Sequence, residues 1–181
     1  MIVTPNTVLD FWFSPQHEPK WFDKDPTFDD KIKDRFLPTY KAAKTGSLSG
    51  WMKSPEGALA LTIVLDQFPR NIFRDTADAF ATDSAACHTA VMAIERGFDR
   101  KLAKKERVFL YMPFMHAESL NLQKKSVQLF AELGIANNLK FAEAHYGIIE
   151  KFGRFPHRNL ILERPTTPEE ADFLKQPGSS F

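Results

Sequence analysis

The segment that most restricts this chain is Ser54-Pro55-Glu56, which opens a helix whose body reads Leu-Ala-Leu-Thr-Ile-Val-Leu over residues 59–65. A helix without a polar face is buried all round, so this one belongs at the centre and the rest of the chain packs about it. Few strand signals compete with that reading, and helix punctuation is dense.

Thr4-Pro5 caps and opens a short helix running through Asp10 and Trp12. From about Thr27, the residues Phe28, Ile32, Phe36 and Tyr40 recur at i+4 as one apolar stripe. Gly46 closes that helix, and Pro38 is expected to kink or split it. Pro69 marks the expected end of the central helix. Further helices are expected from about Asp83 to Arg96, with Gly97 as the cap, and through Glu106–Met112 up to Pro113. Two more run from about Ala117 to Leu133 and from about Leu139 to Phe152, the latter burying Phe141, Ile148, Ile149 and Phe152. Thr167-Pro168-Glu169-Glu170 has the form of a capping box over a short helix from Glu169 to Leu174, and residues 176–181 read as a frayed tail. The expectation is an all-α chain, one domain over residues 1–181, built of consecutive helix pairs.

Composition narrows the partners. The formal net charge of +1 leaves no global field to gather nucleic acid or an anionic membrane, so electrostatic recognition has to be local. The run from Arg100 to Arg107 reads as a solvated helix face. The longest apolar run, Ala58 to Leu65, is far short of the roughly 20 residues a membrane span needs. The one cysteine, Cys87, reads as core; it excludes an internal disulfide and fits a reducing compartment. With no signal peptide apparent at the N-terminus, the expected location is the cytoplasm. Nothing fixes an oligomeric state.

Three constellations carry polar chemistry. In residues 65–74, Asp66 falls in the last turn of the central helix, where the macrodipole disfavours an anion, so it wants a cation. Arg70, Asn71 and Arg74 either clamp that acid as architecture or line an anion pocket that Asp66 and Gln67 orient. Residues 152–159 echo this turn: Phe68-Pro69-Arg70-Asn71 returns as Phe155-Pro156-His157-Arg158-Asn159. If the two turns met, Arg70, Arg154, His157 and Arg158 would form a cationic cup. Around Pro113, Tyr111, His116, Glu118 and Gln123 gather at an expected helix break, where His116 and Glu118 either cap the next helix or His116 serves a ligand. His145 lies on an apolar stripe and reads as a hydrogen-bonded core residue. No spacing argues for a metal, and no cofactor motif is present.

These same segments carry a resemblance. GALALTIVLDQFPRNIFRDTADAFATD, ERVFLYMPFMHAESLNLQKKSVQLF and FGRFPHRN, with the opening VLDFWF, the Trp21-Phe22 loop and the closing RPTTPEE, resemble the bacterial domain-of-unknown-function 924 family over nearly the whole chain. The resemblance implies an all-helical, tetratricopeptide-like fold and brings no established activity or catalytic residue.

Two functional readings follow. In the first, favoured because helix pairs of this type commonly form a groove, the chain is a binding module for an anionic small molecule or peptide. Asp66, Gln67, Arg70, Asn71, Arg74, His116, Arg154, His157, Arg158 and Asn159 are its polar contacts, and Tyr111, Trp21 and Phe22 its apolar walls. In the second it is a small cofactor-independent hydrolase or lyase, with His116 or His157 as base, Asp66 as orienter and arginines stabilising negative charge.

Overall fold

Four helices begin on the same local device, a capping side chain followed by proline. Thr4 caps α1 (Pro5–Trp12), Asp25 caps α2 (Pro26–Lys44), Ser54 caps α3 (Pro55–Ile72) and Thr167 caps α8 (Pro168–Leu174). In each, the cap oxygen accepts an early helix N–H and the proline sits where a missing N–H costs nothing. At Thr167 the reciprocal bond from Glu170 completes the capping box. Between them lie α4 (Asp83–Glu95), α5 (Lys104–His116), α6 (Leu120–Leu133) and α7 (Ala136–Phe152). Gly134 and Gly153 end α6 and α7 in the left-handed conformation. The computed structural model describes residues 1–180; among these there are eight α-helices, short 3-10 turns and no strand.

Pro69 and Pro113 do not end their helices as expected, and Pro38 does not split α2. Pro38, Pro69 and Pro113 all lie within helices that continue past them. At Pro69 the reason is visible. Proline cannot bond the carbonyl four residues back, and that carbonyl, on Leu65, accepts instead from the Thr82 hydroxyl at 2.6 Å. At Pro38 the surface takes the place of a partner, since both Pro38 and Asp34 are exposed. The tail expectation falls partly on Phe181, which lies outside the described residues; just before it, the Ser179 hydroxyl donates to the Leu174 carbonyl.

The chain forms two compact units. The N-terminal unit comprises residues 1–74 and 78–113, and the C-terminal unit residues 75–77 and those from 114 onward. In the first, α3 is the hub that the sequence calls for: every residue from Gly57 to Pro69 is buried, with α1, α2 and α4 packed on it. Trp12 anchors the aromatic core there, its ring 5.7 Å from Phe68 and 5.5 Å from Phe109. Cys87 is buried in this unit as expected; burial, with the charges of Asp66 and Asp83, pushes its thiol up to about 11.

In the C-terminal unit, α6 and α7 pack as a pair, and Ile148, Ile149 and Phe155 make a core flanked by Phe152 and Phe173. Phe141 departs from the expected stripe, being 44% exposed. Burial along α7 begins only at Ala142, so its first turn and a half projects beyond the packed face.

Candidate functional site

In the N-terminal unit the polar residues are held by carboxylates and carbonyls. Arg70 donates Nη1 and Nη2 to the two oxygens of Asp83 at 2.9 and 3.1 Å, and Nη1 also reaches the Asp66 carbonyl. Its Nη1 lies 3.5 Å from the Asp66 carboxylate, which is fully buried and also accepts from the Gln67 amide. Asn71 and Arg74 converge on one acid: Asn71 donates to Asp29 at 2.7 Å and Arg74 adds two bonds at 2.7 and 2.9 Å. Tyr111 is buried, donating to Asp99 at 2.8 Å and accepting from Arg107. Of the aromatic walls expected with it, Trp21 packs against Trp12 and Phe109, while Phe22 is exposed.

In the C-terminal unit Arg154 spans Glu170, at 2.6 and 2.8 Å, and takes the Pro165 carbonyl. Asn159 is fully buried, donating to Glu170 and accepting from Arg164. Glu118 does not cap a helix. It accepts from the Phe155 N–H at 2.7 Å and from both ends of the Arg164 guanidinium at 2.6 and 2.9 Å. Burial pushes its carboxyl up, but Arg164 and the Phe155 N–H outweigh this and hold it below the ordinary value.

Three more basic residues of this unit collect around one ring. Phe155, fully buried, has the Arg158 guanidinium 4.6 Å from its centroid, His145 at 5.5 Å and His157 at 5.6 Å. His116, at the end of α5, stands 6.3 Å from His145 and accepts on its carbonyl from Arg158 at 3.1 Å. His145 is the inward residue the sequence indicates, its Nδ1–H donating to the Phe141 carbonyl at 2.7 Å. Burial drives its pKa down to about 3, with the positive charges of His116, Arg158 and His157 adding to the effect and the Phe141 carbonyl opposing it. The Pro-His-Arg turn and the α5 terminus thus bring His157 and Arg158 to the Phe155 ring and His116 to His145 beside it.

Residues 8–178 match the family described as bacterial protein of unknown function (DUF924). The chain belongs to the DUF924 family. A DUF924-like fold is also seen in a solved structure, a protein of unknown function from Agrobacterium tumefaciens, with a TM-score of 0.90 and 47% identity over 94% of this chain and 96% of that one. No curated protein matches the chain.

Within this DUF924 chain, Gln123 stands beside His116 as the sequence indicates, and Ser126 is a neighbour that carries no obvious sequence signal. Gln123 donates Nε2 to the Met115 and Ala117 carbonyls, at 2.6 and 2.8 Å, and so ties down the end of α5 on both sides of His116. Ser126, one turn on, is equally buried. Among the described residues no group of three His, Cys, Asp or Glu side chains is placed to hold a metal ion, and no helix is long and apolar enough to cross a membrane.

Proposed function

We propose that this protein is a binding module whose ligand is a small anion, a carboxylate or a phosphate, held in the C-terminal unit by His116, His157 and Arg158. The observation that carries this reading is the convergence of Arg158, His157 and His145 on the Phe155 ring, with His116 beside them. A buried guanidinium flanked by two imidazoles supplies N–H donors in a poorly solvated place, where charge-assisted bonds to an anion are strongest.

Binding is favoured over acid–base catalysis. Glu118, the acid whose charge Arg158 faces, is held by Arg164 and the Phe155 N–H below its ordinary pKa, which makes it a weak base.

Calorimetric titration of inorganic phosphate and of propanoate tests the reading, using the wild type, His157→Ala and Arg158→Gln. Loss of a charge-assisted bond of about 1.5–3 kcal/mol weakens binding about tenfold or more in each variant. Binding that survives both substitutions, or a folded wild type that takes up neither anion, overturns it.

A further inference from the structure

Two polar atoms of α6 are buried without a hydrogen-bond partner among the described residues, the Oε1 of Gln123 and the Oγ of Ser126. Both residues are fully buried. Standing at i and i+3, they share one face of α6, a helix packed along α7, whose buried face carries His145. The Gln123 amide cannot turn away, because its Nε2 is fixed on the Met115 and Ala117 carbonyls. Arg158 takes the His116 carbonyl between those two. Gln123 and Arg158 therefore close on the same three residues of backbone, one presenting an acceptor and the other a guanidinium.

Buried polar atoms are nearly always paired, and leaving one unpaired is costly, so an acceptor and a hydroxyl left on one helix face call for a common partner. A ligand hydroxyl completes both, donating its proton to Gln123 Oε1 and accepting the Ser126 proton. Resting on the anion-site reading above, we propose that the ligand is a small hydroxy acid, its carboxylate on Arg158 and His157 and its hydroxyl between Gln123 and Ser126. A site built to bond a hydroxyl discriminates sharply against the analogue that lacks it.

The test is a matched pair, 2-hydroxypropanoate and propanoate, titrated into wild type and Ser126→Ala with inorganic phosphate alongside. Removing an unpartnered hydroxyl should leave the melting temperature unchanged or raised, so the variant is expected to fold. The expected result is about tenfold tighter binding of the hydroxy acid to wild type and a preference that collapses towards one in Ser126→Ala. Equal affinity for the two acids is what a site filled by water gives, and overturns the inference while the anion site stands. A preference that persists in Ser126→Ala, or phosphate binding without either carboxylate, overturns it in the same way. No binding of any of the three anions overturns the inference and the anion site together.

Discussion

Arg70 and Asp83 meet fork to fork, Nη1 on Oδ1 and Nη2 on Oδ2, across the last turn of α3 and the first of α4. Lysine keeps the charge but has no fork. Arg70→Lys is therefore expected to destabilise the fold by about 1–2 kcal/mol in urea denaturation. The same variant should bind phosphate as wild type does, since the proposed ligand site lies in the other unit.

Gly57 is fixed by its neighbour. A Cβ there would stand 2.1 Å from the Trp51 carbonyl oxygen, and backbone has to shift to admit it. Although alanine is the better helix former, Gly57→Ala is expected to destabilise by about 1–3 kcal/mol in thermal or chemical denaturation.

Glu170 ties the capping box to Arg154. The Arg154 bonds, helped by the Thr167 N–H and Asn159 and opposed by burial, bring its carboxyl down to about 2 from 4.5. A depressed folded-state pKa means the stabilisation is complete above pH 4.5 and is lost as the pH falls towards 2. Glu170→Gln should lower stability at neutral pH and flatten the acid limb across that window, measured as urea midpoints from pH 2 to 7.

His145 titrates with the opposite chemistry and the same sign. Unfolded, it takes a proton near 6.5, whereas folded it resists one until about 3. Over that window the unfolded chain binds the extra proton, so stability falls with acidification by up to about 1.4 kcal/mol per pH unit. A non-titrating His145→Phe variant should lose this part of the pH dependence. An unchanged slope between pH 6.5 and 4 would show that His145 is protonated in the folded protein.

What the sequence could reveal was local. The caps at Thr4, Ser54 and Thr167 are written in adjacent residues, and the apolar body of α3 announces its own burial. Pro69 misleads because its compensation, the Thr82 hydroxyl, comes from the start of another helix. For the same reason the arginines look available in the sequence: Asp29 stands 45 residues from Arg74, and Glu170 stands 16 from Arg154. Gln123 is legible as part of the cluster around Pro113, whereas Ser126 looks like any polar helix residue until the fold shows it fully buried. His145 was legible because its neighbours on the helix face, Ile148 and Ile149, are apolar.

The most direct measurement is imidazole nitrogen NMR of the five histidines during titration with inorganic phosphate. His17 and His88 belong to the N-terminal unit and serve as internal controls. The anion-site account predicts saturable shifts of His116 and His157 with one common dissociation constant, while His17 and His88 stay in place. Phosphate that moves none of the five, or moves His17 and His88 as much as His116 and His157, would contradict it.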